Sequence, residues 1–345
     1  MRHSPRSASR FGIAVWVMVL CGASRPALAA NDPVPRAAVP AILGIFEKYP
    51  IVALGESHRN QQIHDFIVSL VSAPDFADSV NDIVVEFGAA RYQKLVDRYV
   101  DGEVPVDQLP LVWRETVNIM VWDAPVYQRF FETVRAVNRK LPEHKRLRVL
   151  LGDPEFDWQQ VKTNEEWERL AARRDSHAAA LVETEVLAKG RRALLIFGSG
   201  HIMREQAYTR HGESAKQEPK LMELLDSRHP GAVFAIWCHT ADWGEISAAD
   251  RRLRSWPAPS LALLKGNWLG SIAVGERGNS PRMQELADGF LYLGKAASQT
   301  ISKPDDAMYA DPAYLGELLR RDRIQGGFNR TELQRLVRSA GAAGR

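Results

Sequence analysis

Short apolar runs that stop on a polar residue recur along this chain, with helical segments between them. IVAL (51–54) runs into GESHRN, DIVVEFG carries Glu86, LRVLLGD ends on Asp153, RALLIFGSGH ends on His201, and GAVFAIWCHT passes through His239. Runs this short and this uniformly apolar suit strands buried on both faces, the condition of a parallel sheet. QQIHDFIVSLV, between the first two, repeats apolar residues at helical spacing, so strand, helix and strand follow as in a βαβ unit. The expectation is a three-layer α/β fold, a mostly parallel central sheet with helices on both faces. SLALLKG and GFLYLG are candidate later strands, and DPAYLGELLRR a late helix.

The stretch from about 89 to 145 breaks this rhythm. AARYQKLVDRYV, LPLVWRETVNIMVW and APVYQRFFETVRAVNRKL read as consecutive helices with no strand among them, predicting a helical insertion near the carboxyl ends of the strands. EEWERLAARRDSHAAALVETEVL reads as one long, polar-rich helix, and the end of the chain as a short helix with a loose tail over 331–345. The expected organisation is a single α/β domain over 31–330.

The first thirty residues predict a secretory signal peptide. A basic start, MRHSPRSASR, precedes the apolar FGIAVWVMVL and the small residues of RPALAA. Leu20 before Cys21 argues against lipid attachment, so no stable membrane anchor is expected after cleavage, and the location is read as periplasmic or secreted. Cleavage removes four arginines and no acid, leaving 41 basic against 42 acidic residues. Net charge then offers no reason to expect a nucleic-acid partner. Only Cys238 would remain, so no intramolecular disulfide forms even in a compartment that permits one.

In an open α/β sheet, ligands gather beyond the carboxyl ends of the strands, which makes the polar residues there the candidates. Glu56 and His58, two apart on extended or turning backbone, could share a side, where a carboxylate orients an imidazole and stabilises its charged form. Their bland alternatives are a helix cap and a structural turn. Arg59 is a weaker neighbour, and His64, inside the following helix, is expected to pack or face solvent. Glu86 could bond the His58 ring, position water, pair with an arginine or cap a helix. His201 suits a base, a hydrogen-bond donor or a metal ligand, Gly198 and Gly200 bringing its turn close to His58. Asp153, His239 and Asp242 are secondary candidates, with Glu155 and Asp157 weaker. Trp113 and Trp243 are candidate apolar walls. Ser199 lacks the setting of a nucleophile elbow, and the chain has no Walker motif, dinucleotide fingerprint or zinc-like cysteine cluster.

GESH, the acid closing IVVE and GSGH together resemble the superfamily of erythromycin esterases, Tiki-type proteases and ChaN-like haem-binding proteins, over roughly residues 45 to 295. LVWRETVNIMVW, APVYQRFFETVRAVN and RVLLGD look somewhat more like the esterase branch. That resemblance implies water attack on an ester or lactone, with His58 as general base, Glu86 orienting it, His201 and Arg59 stabilising the oxyanion, and no serine acyl-enzyme. The Tiki-like branch implies instead a divalent metal, manganese, cobalt or zinc, held by His58, Glu56, Glu86 and His201, and a peptide substrate. The ChaN-like branch implies a haem or iron binder with histidine or tyrosine ligation. The sequence leaves the bond cleaved, the cofactor and the oligomeric state open.

Overall fold

A computed structural model describes residues 31–204, 218–240, 249, 251–275, 280–304 and 306–343. The expected signal segment, Asp242 and Trp243 lie outside them. Eight strands form one sheet in the order β1-β7-β8-β6-β2-β5-β3-β4. They are β1 (Arg36–Ala37), β2 (Ile51–Glu56), β3 (Asp82–Ala89), β4 (Arg148–Asp153), β5 (Ala193–Gly198), β6 (Val233–Cys238), β7 (Ser260–Leu263) and β8 (Gly289–Tyr292). The pairings from β8 through β6, β2, β5 and β3 to β4 are parallel, and β7 runs antiparallel to both of its neighbours, β8 and the edge strand β1.

Helices cover both faces. They include α1 (Ala38–Ile45), α2 (Gln61–Val71), α3 (Phe76–Ser79), α4 (Gln93–Val100), α5 (Leu111–Arg114), α6 (Pro125–Asn138), α7 (Asn164–Ala172), α8 (Arg174–Glu185), α9 (Ser199–Ile202) and α10 (Leu221–Arg228). Strand parity decides which side chain meets which layer. Val52 and Leu54 of β2 join Ile83 and Val85 of β3 in a core with Ile67 of α2 and Phe130 and Phe131 of α6. Ile51, Ala53 and Val84 point the other way, into a core with Ala178 and Val182 of α8 and Leu221 and Leu225 of α10. Each fully buried Phe or Leu here contributes about 1.5–3 kcal/mol, so both layers are firmly seated.

α2 begins where Asn60 Oδ1 accepts the Ile63 N–H, and Ile63, Phe66, Ile67, Leu70 and Val71 form its buried face. α6 starts with Pro125 at its first turn, where the missing N–H costs nothing. Between β3 and β4 the described chain holds helices and turns with no strand, and it packs on the same face as α2. The long helix expected over 165–187 is two helices. α7 stops at Arg173, whose N–H turns back to the Leu170 carbonyl, and α8 restarts at once with Arg174 and Asp175.

The chain's end holds the expected helix, longer and more firmly packed than a short helix with a loose tail. Arg330–Ala343 is helical, and its Leu333 and Leu336 are buried with Leu315 and Leu318 of helix Pro312–Ile324 and with Ile119 and Trp158. Spacing of the apolar residues three apart gives this helix a face to bury, and helix Pro312–Ile324, Trp158 after β4 and Ile119 of the helical insertion supply the surface. Arg321 secures the junction, bonding the Arg114 carbonyl and the Glu115 carboxylate. No helix among the described residues is long and apolar enough to cross a membrane.

Candidate active site at the strand carboxyl ends

β2, β5 and β3 lie side by side, so the residues ending them share one crevice. Glu56, at the end of β2, has the parity of Val52 and Leu54 and is buried on the α2/α6 face. Its Oε1 sits 2.8 Å from His64 Nε2 and accepts the Tyr127 hydroxyl at 2.8 Å. Burial alone would raise this carboxyl, but the His64 and His58 rings bring it down to about 2. Glu56 is therefore an anion at any ordinary pH. His64 is not a solvent-facing helix residue but a buried partner of Glu56, because α2 turns it inward beside Ile63 and Ile67.

Glu86 has the opposite parity and faces α8. The β3–β4 register shifts between Val85 and Ala89, an irregularity of the kind that re-aims a side chain near a site, and Glu86 lies within it. One Glu86 oxygen, Oε2, accepts the Gly198 N–H at 2.6 Å. The other, Oε1, accepts from Arg174 Nη2 at 2.7 Å and lies 3.2 Å from His201 Nε2. Burial works against its charge, yet His201 and Arg174 hold it well below the usual carboxylate range. Arg174 Nε also donates to Asp153 Oδ1 at 2.7 Å, and Asp153 Oδ2 takes the Val117 N–H at 2.6 Å. Asp153 thus braces Arg174 and the helical insertion. Its carboxyl is raised by burial, which Arg174 only partly offsets.

His201, in α9 directly after β5, is held from both sides, with Nδ1 2.7 Å from Asp175 Oδ1 and Nε2 facing Glu86. Burial would lower its pKa, but Glu86 and Asp175 raise it to about 9, so the ring is an imidazolium at neutral pH. The Asp175 carboxyl, which burial would raise, is held low by His201 and by the Leu221 N–H it accepts. Asp175, His201, Glu86, Arg174 and Asp153 form one alternating chain of charge.

His58 stands between the two carboxylates. Its Nδ1 is 3.7 Å from Glu56 Oε2, longer than a hydrogen bond, and its ring meets Trp122 edge-on at 4.5 Å between centroids. On the other side is β5: a Cβ built on Gly198 would stand 2.8 Å from His58 Cε1 and 3.2 Å from Glu86 Oε2. Gly198 is required for space, not for backbone freedom, since its φ is −51°. Gly200 is required for neither, because a Cβ there meets nothing and its φ is not positive. Although burial opposes protonation of His58, Glu56 and Glu86 raise its pKa above the ordinary value. The side chain is 39% exposed, against 19% for His201, so it is the more open ring.

Arg59 follows with φ +63°, a conformation that costs a side-chain-bearing residue about 1–2 kcal/mol. The Tyr127 hydroxyl accepts the Arg59 N–H at 3.0 Å, and the Ser302 N–H bonds the Arg59 carbonyl. An isolated antiparallel bridge between Asn60 and Ile301 straps the same turn. Tyr127 therefore ties Glu56 to the loop carrying His58.

The other candidates lie elsewhere or outside the described residues. His239 is buried against the Phe290 and Tyr292 rings with Nδ1 3.2 Å from the Gly294 carbonyl oxygen, because β6 turns its end toward β8. Glu155 is exposed, and Asp157 pairs with Arg91 and caps a short turn. Trp113 stacks on Phe131 in the core. Ser199 Oγ bonds the Glu56 carbonyl. Residues missed from the sequence are Tyr127, Trp122, Arg174 and Asp175.

The donors suit a metal poorly. Both Glu86 oxygens and both His201 nitrogens face other protein groups, and among the described residues no cluster of three or more His, Cys, Asp or Glu could hold a metal ion. For haem, the Tyr127 hydroxyl serves Glu56 and that of Tyr309 serves Asp123, leaving His58 as the open ring in the cluster. One such ring does not make a haem pocket.

No protein-family model matches this chain, nor does any curated protein. Solved structures do. A succinoglycan biosynthesis protein overlaps 79% of this chain and 96% of its own at 9% identity and a TM-score of 0.54. The likeness is one of fold. An erythromycin esterase mutant in its open conformation overlaps 74% and 94% at 12% identity with a TM-score of 0.48, and a haem-binding ChaN of Campylobacter jejuni 59% and 86% at 12% and 0.40. These two overlaps are too loose to align residues.

Proposed function

We propose that this chain is a hydrolase that activates water at His58 and acts on an ester or lactone. The observation that carries the reading is His58 itself, an open imidazole seated between two buried carboxylates that raise its basicity. His58 takes a proton from water as the oxygen attacks the carbonyl, and returns it to the departing alcohol oxygen. Glu56, anionic and fixed by His64 and Tyr127, stabilises the imidazolium formed in between. Glu86, with both oxygens engaged, is a counter-charge that positions His201 and the Gly198 turn rather than a second base. His201, charged at neutral pH and with both ring nitrogens engaged by Asp175 and Glu86, stabilises the developing oxyanion by its charge. A small-molecule ester is the favoured substrate over a peptide, since the metal-assisted route lacks a donor set among the described residues. Secretion into the periplasm, as a single α/β domain after loss of 1–30, belongs to the same reading.

The test is kcat/KM against pH on 4-nitrophenyl esters and lactones for the parent, His58→Gln and His201→Gln. The expected profile rises through the elevated His58 pKa and falls near 9 as His201 loses its proton. Undiminished turnover in folded His58→Gln would overturn the mechanism, and no ester or lactone hydrolysis by the parent would overturn the function.

A further inference from the structure

A cavity of about 370 Å³ opens beside the site, with Arg59 and Met120 on its wall. Both belong to the surroundings of His58: Arg59 is the next residue, and Met120 is two residues from Trp122, whose ring packs on His58. They are also the two non-glycine residues with positive φ among those described, at 63° and 62°. Such conformations persist where the surrounding structure over-determines them, and they gather at ligand clamps.

The charges on the wall are unevenly matched. Arg335 bonds both oxygens of Asp306, at 2.7 and 2.8 Å, and reaches Glu332 at 2.6 Å, so these two acids are already engaged. Arg59 and Lys303, on the same wall, have no ion pair among the described residues. Asp123, which lies near Arg59, accepts the Tyr309 hydroxyl, and burial raises its carboxyl above the ordinary value. Arg59 Nε is buried without a hydrogen-bond acceptor, a costly state for a guanidinium nitrogen unless a bound group supplies one.

We infer that this cavity is the subsite for an oxyanionic group, a carboxylate or a phosphate, on the substrate turned over at His58. The inference rests on the hydrolase reading for its catalytic half. Arg59 supplies the planar fork and Lys303 a second point charge, so the ligand's anion enters at the cavity while its scissile bond reaches the imidazole.

Isothermal titration of the full mature chain with succinate, and separately with inorganic phosphate, tests the subsite without turnover. The parent is expected to bind at least one of them, the tighter naming the oxyanion. Lys303→Gln, an exposed change that spares the fold, is expected to weaken binding roughly tenfold, and Arg59→Gln more, while His58→Gln binds as the parent does. Failure of the parent to bind either anion, or parental affinity in both charge variants, overturns the subsite. In kinetics, Lys303→Gln is expected to raise KM for 4-nitrophenyl hemisuccinate and leave 4-nitrophenyl butyrate unchanged; equal effects on both overturn the assignment to substrate. Anion binding in a parent that hydrolyses neither ester keeps the subsite and overturns catalysis at His58.

Discussion

Removing the charge of His201 should change how the stability of this protein depends on pH. The ring's pKa is about 9 when folded and about 6.5 when free of Glu86 and Asp175. Between those values the folded chain holds a proton that the unfolded chain has released. The stabilisation is therefore complete below about 6.5 and is lost as pH rises through about 9. At about 1.4 kcal/mol per pH unit, the gap is worth about 3 kcal/mol, an upper value for a ring that solvent partly reaches. With a urea slope of about 3 kcal/mol/M, that is a midpoint shift of about 1 M. The assay is urea unfolding of the parent and His201→Gln below and above this window. Histidines that do not feel His201 titrate alike in both proteins and cancel in the difference, while His58, which the His201 charge lowers, adds a smaller term of its own. The parent's advantage over the variant should shrink by up to about 3 kcal/mol at the alkaline end. A difference that stays constant with pH would refute the paired imidazolium.

Four further outcomes follow from the same geometry. Gly198→Ala puts a methyl group 2.8 Å from the His58 ring and should cost about 1–3 kcal/mol in urea unfolding, with an altered His58 titration by NMR. Arg174→Met leaves Glu86 and Asp153 without their shared cation and should cost about 3–5 kcal/mol by the same measurement. Tyr127→Phe removes the bond to Glu56 and the acceptor for the Arg59 N–H, which should cost about 1–3 kcal/mol and speed hydrogen exchange at that amide. Cys238 is buried, and its thiol is pushed far up by burial and by Glu56, so it should not react with a disulfide reagent until the protein unfolds.

Much of the scaffold was legible in the amino-acid sequence because a doubly covered strand must be apolar at every position. IVAL, IVV, VLL, ALLIF and VFAIW each became a strand for that reason. Glu56, Glu86 and His201 stood out by the same logic, as polar groups where burial would be costly without partners. The break before α8 was not legible, since EEWERLAARRDSHAAALV has helical propensity throughout. Nor was the helix at the chain's end as a packed element, because its partners are Ile119 and Trp158, far back in the sequence.

The sequence by itself determined which polar residues end the apolar runs and that strand ends would gather them. Only the tertiary structure decided how they are wired. Period-two alternation sends Glu56 to the α2/α6 layer and Glu86 to the α8 layer, so His58 is flanked by carboxylates from opposite faces of the sheet. Tyr127 finds Glu56 across 71 residues and Arg174 finds Glu86 across 88. Neither carries a local signature, because a hydrogen bond constrains two side chains in space and leaves the intervening spacing free.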